Sequence, residues 1–399
     1  AEVTPTPKLF QQGGYFTCIG SGLTDLDFRG LPFGAGKGKK AKAGAGSRLG
    51  KTDYNFEWDP AIYDSHDWAG RKPGQPFFMQ VQLNGGKLRE GPEAARVKFR
   101  EHVVSELGAV TDPSKVTLPP YYPRDPVLLQ DWADYLDAVR LTDLHVGRVI
   151  ARLEKEGQLA NTLVVFMTDH GISHARGKQF LYEEGAHVPL VIRGPGVPVG
   201  QVRPDLVEHI DLAALSLSAA SLGVPTWMQG KDILATNYAA REEAFSARDR
   251  CDETTEKIRS LRTDKFIYIR NYHPERPHLQ PCAYKDGKQI VQQLRTLHAA
   301  GKLSQLSEKL LFSPTRPREE LYELAADRWQ VRNLAEDPAY AAVLAEHRQR
   351  LDAKLVATKD PAPESMAMYD SDMKPYVGKG SPVIEGNIAQ MKKWASEGK

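Results

Sequence analysis

The sequence predicts an α/β protein: a mixed, mostly parallel sheet sandwiched by helices, with a smaller α+β subdomain at the C-terminal end. Three observations lead there. From Val127 to Gly157 the apolar residues Trp132, Leu136, Val139, Val146, Ile150 and Leu153 recur at helical spacing, which reads as one long amphipathic helix. It is followed by a short β-branched and apolar run, Thr162 to Met167, that breaks into the polar cluster Thr168-Asp169-His170-Gly171. Beyond Ser246 the character changes to alternating strands such as KFIYIRNY (Lys265 to Tyr272), which divides the chain into residues 1–255 and 256–399. A length of 399 residues suits one large domain with a smaller partner.

The elements follow in order. PKLFQQGGYFT reads as a short amphipathic helix stopped by Gly13-Gly14 and followed by the start of a strand. Residues 20–50 mix many glycines with Lys37, Lys39, Lys40, Lys42 and Arg48, the composition of a flexible surface loop or of a cationic flap that steers polyanions. PFFMQVQL, from Pro76, is an apolar run suited to a strand buried on both faces. A second apolar strand, His187 to Arg193, follows the polar cluster and stops at Gly194-Pro195-Gly196. QIVQQLRTLHAAGKL reads as a helix, and the last 40 residues lack clear periodicity, so they wrap the surface or fray.

Composition removes several classes of function. Lysine and arginine number 53 against 51 acidic residues, a net charge of +2 that gives no reason to expect a nucleic-acid partner. No run of about 18 apolar residues occurs, so no membrane span is expected, and no secretory leader is visible from Ala1 onward. The cysteines Cys18, Cys251 and Cys282 stand far apart and support neither a zinc cage nor a disulfide framework. Ala45 to Thr52 fits a relaxed phosphate-loop pattern, but KGKKAKAGAG precedes it and DYNFEWDP follows, where a buried strand and an opening helix are needed. The chemistry therefore concentrates at Asp169-His170-Gly171, a strand end of the kind where open α/β sheets hold their ligands. Lys178 and the turn Tyr182-Glu183-Glu184-Gly185 follow closely, a grouping suited to a tetrahedral oxyanion held with a hard divalent cation.

The stretch LVVFMTDHGISHARGKQFLYEEGAHVPLVIRGPG resembles the second signature region of the sulfatases, members of the alkaline phosphatase superfamily. GKTDYNF, PFFMQVQL, the long helix, and Arg316 to Leu324 with Asn333-Leu334-Ala335 agree with the same family in the same order. The resemblance covers roughly Thr6 to Asp352 and implies an alkaline phosphatase-like fold. It also implies that Asp169 and His170 are ligands of Ca2+, that Lys178 binds the sulfate group, and that Lys51 matches the lysine of the family's G-K-x-H element. Asp53 stands at the histidine of that element. His174 is then a candidate for the leaving-group acid, against the reading of an exposed loop histidine. Lys87 replaces a histidine that often ends the upstream strand, as a cationic contact. Arg248 and Arg250 resemble substrate subsite residues, against the reading of a salt-bridged domain junction.

One departure is decisive for mechanism. The family's nucleophile is a formylglycine made from Cys or Ser in C/S-x-P-x-R, preceded by a strand ending in paired aspartates; neither motif occurs here. The sequence thus reads as starting downstream of the nucleophile segment, with little turnover expected of these residues alone. The resemblance implies a periplasmic or secreted sulfatase acting on a sulfated carbohydrate. The alternatives are a phosphate or phosphonate ester hydrolase of the same superfamily, or a non-catalytic sulfated-glycan-binding relative. Oligomeric state is not readable.

Overall fold

A computed structural model describes residues 3–26 and 58–399; Lys51, Asp53, the lysine-rich stretch and the phosphate-loop-like octapeptide lie outside the described residues. Helix α1 (Thr6–Gln12) leads into strand β1 (Phe16–Gly20), which pairs in parallel with β2 (Phe77–Val81), Phe16 facing Phe77. Helix α2 (Glu93–Leu107) ends at Gly108 with φ 80°, a left-handed stop that glycine adopts without steric cost. The long helix α3 (Pro126–Lys155) begins where the Asp125 carboxylate accepts from the Val127 amide at 2.8 Å, with proline at the first helical position. Then come β3 (Val164–Met167), the short α4 (Glu183–Ala186), β4 (Leu190–Arg193) and α5 (Asp211–Ala219).

The C-terminal part is built on an antiparallel sheet of β5 (Ala244–Cys251), β6 (Thr254–Arg262), β7 (Phe266–Asn271) and β8 (Glu319–Glu323), in that spatial order. Helices α6 (Ala283–Asp286), α7 (Gln289–Ala299) and α8 (Gln305–Ser307) lie between β7 and β8, and α9 (Ala341–Ala357), α10 (Met366–Met373) and α11 (Pro382–Ser396) follow. The expected division at residue 255 falls inside the β5–β6 hairpin, where Arg250 faces Thr255. We propose that the smaller unit begins ahead of Ala244.

Mixed α/β architecture is observed, but the pairing corrects the expectation of a mostly parallel sheet. Among the described residues β1–β2 is the parallel pair, whereas β3–β4 is antiparallel, with Val164 facing Arg193. The cause is the connection: parallel neighbours need a crossover, usually a long helix, and the chain between β3 and β4 folds into a compact loop with only the one-turn α4. β2, expected to be buried on both faces, is partly exposed throughout.

Helix α3 corrects the expectation in its buried face. The stripe that packs inward runs through Leu128, Asp131, Asp134, Asp137, Ala138, Leu141, His145, Val149 and Leu153, while Val139 is 44% exposed. Three buried aspartates and a histidine occupy positions a hydrophobicity pattern assigns to water. The final residues are also more ordered than expected. Ser365 caps α10 through the Met368 amide at 3.2 Å, Pro382 opens α11, and Tyr369, Met373, Ile388 and Met391 make a small core of their own.

Candidate active site at the carboxyl end of β3

Residues 168–186 form a loop folded tightly on itself, and glycines permit it. A Cβ on Gly171 would meet the Glu184 carbonyl oxygen at 1.9 Å, and one on Gly177 would meet the Ile172 carbonyl oxygen at the same distance. Backbone contacts replace those side chains: the Gly171 amide donates to the Gly185 carbonyl at 2.9 Å, and the Lys178 amide to the Ile172 carbonyl at 2.6 Å. The loop is anchored in the main core, where Ala175 packs with Tyr121, Tyr122 and Leu128 at the start of α3 and with Ile290, Val291 and Leu294 of α7. Next to Lys178, Gln179 carries φ 82°, a left-handed conformation that a non-glycine residue holds only when its surroundings impose it. Arg248 imposes it by donating to the Gln179 carbonyl at 2.9 Å, and the Gln179 amide nitrogen donates to the Cys251 sulfur at 2.7 Å.

Asp169 and His170 stand together as expected. The Asp169 side chain is 78% exposed, and its Oδ2 lies 3.4 Å from His170 Nε2. His170 Nδ1 is 2.7 Å from the Gly171 carbonyl oxygen. An acceptor there places the ring proton on Nδ1, so Nε2 carries a lone pair, and that nitrogen is buried without a hydrogen-bond partner. Burial lowers the His170 imidazole below its ordinary value, and the charges of Lys178 and Lys87 act in the same direction against the Gly171 carbonyl and Asp169. Lys87 comes from the turn Gly85–Arg89 that follows β2.

The donor set meets part of what a cation requires. Asp169 offers the oxygen a hard cation prefers, and His170 an imidazole nitrogen whose tautomer is fixed by its outer hydrogen bond. Among the described residues no third His, Cys, Asp or Glu stands at ligand distance from these two. They fit one edge of a coordination shell. Thr168 Oγ1, one residue earlier, is buried without a partner.

Lys178 has no carboxylate partner among the described residues; its Nζ lies 4.6 Å from the centre of the Tyr284 ring. Tyr284 was not foreseen, because it comes from α6, far along the chain. Its hydroxyl is buried without a partner, and Lys288, paired with Glu90, covers the same ring at 4.2 Å. An unpaired ammonium above an aromatic face, beside an exposed carboxylate and an imidazole, is free to bind an anion.

Three expected site residues take other roles. His174 is not an exposed loop histidine, and we propose that it supports the loop rather than acting as the acid. Its side chain is fully buried, with Nε2 2.8 Å from Asp131 Oδ2 and Arg89 at 3.5 Å from the same oxygen. Nε2 also lies 2.9 Å from Arg89 Nη2, and since one nitrogen cannot donate to Asp131 and accept from Arg89 at once, we assign its proton to the Asp131 contact. Burial pushes the imidazole down to about 4, against the pull of Asp131. Arg248 is buried, with its guanidinium over Phe180 and a hydrogen bond to the Gln179 carbonyl. Arg250 is held by Asp372 at 2.6 Å and Glu364 at 3.2 Å, ion pairs within the C-terminal part of the chain. The sequence also gave no sign that Cys251 and Cys282 meet, or that Lys285 is buried with its Nζ on the His174 carbonyl.

With this geometry in place, comparison with known proteins is informative. The sulfatase family model matches residues 7–222, and that of the N-sulphoglucosamine sulphohydrolase C-terminal region matches residues 170–277. An ulvan-active sulfatase of Formosa agariphila is 31% identical over 350 residues, covering 79% of this chain and 58% of that protein. Human N-sulphoglucosamine sulphohydrolase is 28% identical over 265 residues, 63% of this chain and 52% of that protein. The chain thus spans between half and three-fifths of the length of these relatives. Among solved structures, one in complex with its substrate D-glucosamine-2-N,6-O-disulfate superposes with a TM-score of 0.54 at 16% identity, covering 91% of this chain and 83% of that one. A 2-O GAG sulfatase gives 0.51 at 18% identity, covering 90% and 75%. The chain belongs to the sulfatase family and has its alkaline phosphatase-like fold.

Proposed function

We propose that the protein carrying this chain hydrolyses sulfate esters of a sulfated carbohydrate. The observation that carries this reading is Asp169 beside His170 at the carboxyl end of β3, in one loop with Lys178, whose ammonium lies over the Tyr284 ring with no carboxylate partner among the described residues. Sulfuryl transfer spreads negative charge over three oxygens, and fixed ammonium groups in a partly dehydrated site stabilise that charge without reorganising. Lys178 and Lys87 would bind the sulfate oxygens, while Tyr284 orients Lys178 from beneath. Asp169 and His170 would contribute to holding Ca2+, which when bound neutralises charge on the sulfuryl group. Residues 1–399 contain no C/S-x-P-x-R, so the formylglycine of the family's reaction has no site among them and no step is assigned to it here. The relatives' printed substrates, ulvan and sulfated glucosamine, support a glycan substrate. A location outside the cytoplasm accords with such a polymer; no helix among the described residues is long and apolar enough to cross a membrane.

The test is release of inorganic sulfate. The complete protein, this chain together with any formylglycine-bearing segment, is incubated with sulfated oligosaccharides in calcium, and free sulfate is measured by ion chromatography. Sulfate release that stops on chelation supports the reading. Phosphate release from phosphate monoesters with no sulfate release from any glycan overturns it.

A further inference from the structure

The three cysteines are not equivalent. Cys18 is buried in β1, whereas the sulfurs of Cys251, at the end of β5, and Cys282, just before α6, lie with the Asp252 carboxylate within 4.8 Å of one another. Both are free thiols, and one amide nitrogen, that of Gln179, reaches the two sulfurs at 2.7 and 3.6 Å. Cys251 is partly exposed and Cys282 is buried. We propose that Cys251 and Cys282 are a redox site, forming a reversible disulfide that ties the β5–β6 hairpin to α6 directly behind Lys178.

The surroundings favour this chemistry over metal binding. Arg248 and Lys285 both interact electrostatically with the two sulfurs, which repels a divalent cation, and the pair's negative charge settles on Cys282, while Cys251 is held protonated, raised above the ordinary thiol range by Cys282 and by burial. The neighbouring Cys251 thiol, which also lies 3.7 Å from Asp252 Oδ2, lowers Cys282 below the ordinary thiol range, and burial opposes that shift. The exchange runs in two steps with a small disulfide, RSSR, as oxidant. Cys251, the accessible thiol, passes its proton to the Cys282 thiolate and attacks RSSR, giving a Cys251–SR mixed disulfide and RS−, which takes up the Cys282 proton to leave as one RSH. The Cys282 thiolate then attacks the Cys251 sulfur, the Cys251–SR bond breaks, and the RS− released is protonated by water to leave as a second RSH. Two protein thiols are oxidised and one RSSR is reduced. The product closes a loop between two elements that already touch Gln179 and Tyr284, so it stiffens the support of Lys178.

The 399-residue chain, equilibrated with oxidised glutathione and then alkylated, tests this by intact mass and peptide mapping. The expected result is loss of two hydrogens, a Cys251–Cys282 cross-linked peptide, an alkylated Cys18, and a higher thermal midpoint that reverts with dithiothreitol. Cys18→Ser should keep the bridge, and Cys282→Ser should leave Cys251 trapped as the glutathione mixed disulfide. Alkylation of Cys251 and Cys282 in unfolded samples taken after oxidation, a bridge to Cys18, or a zinc ion retained by both thiols in native mass spectrometry would each overturn the proposal.

Discussion

At the scale of single residues, burial decides what a titratable group can do. His174 lies in the loop that carries Lys178, yet it is sealed between Asp131, Arg89 and the Trp132 ring, whose centre is 4.9 Å away. In the unfolded chain this histidine takes up a proton below its ordinary 6.5, while in the fold it stays neutral down to about 4. The unfolded state therefore binds more protons in that window, and stability falls as pH drops from about 6.5 to about 4. A shift of that size corresponds to on the order of 3 kcal/mol. Urea midpoints at pH 7, 5.5 and 4.5 should fall in that order, and His174→Gln should flatten the dependence while lowering the midpoint at pH 7. A midpoint independent of pH in this range would mean the imidazole is not buried neutral.

The loop and its glycines belong to the scale of elements. A methyl group at Gly171 must displace the Glu184 carbonyl, and backbone cannot move aside as a flexible side chain can. Gly171→Ala is therefore expected to disorder residues 168–186 with loss of about 2 kcal/mol or more. Hydrogen exchange should show deprotection in that loop and leave the β5–β8 sheet slow. Protection retained in the loop would count against the tight packing described. The C-terminal helices make a second case. Tyr369 is fully buried and its hydroxyl donates to the Glu253 carbonyl at 2.6 Å. Tyr369→Ala should cost about 3–5 kcal/mol. Limited proteolysis should then cut within residues 360–399 before the sheet, and an unchanged digestion pattern would show that α10 and α11 do not depend on this core.

At the scale of the whole molecule, what the sequence disclosed was local and what it concealed was distant. Asp169, His170 and Lys178 lie within ten positions of each other at the end of an apolar run, so chain order alone brought them together. Lys87 was legible for a related reason, as it directly follows a second apolar strand. The buried face of α3 was misjudged because Asp131 and Asp134 look like solvent residues until Arg89 and Arg100 are brought against them from other elements. Arg248 and Arg250 carry the composition of an anion subsite, and only the fold shows that Gln179, Glu364 and Asp372 already occupy them. Tyr284, Lys285 and Cys282 sit almost a hundred residues from the loop they support, beyond any spacing rule.

The central claim is that Lys178 and His170 face the reaction while His174 only supports the loop, and steady-state kinetics of sulfate release by the complete protein tests it directly. Removal of one preorganised charge contact at a transition state costs about 100- to 1,000-fold in kcat. Lys178→Ala and His170→Ala are expected to lose activity on that scale with unchanged thermal midpoints. His174→Gln is expected to lower the midpoint yet keep kcat within about threefold at a temperature where it remains folded. The opposite pattern, a fully active Lys178→Ala beside a folded but inactive His174→Gln, would contradict the account.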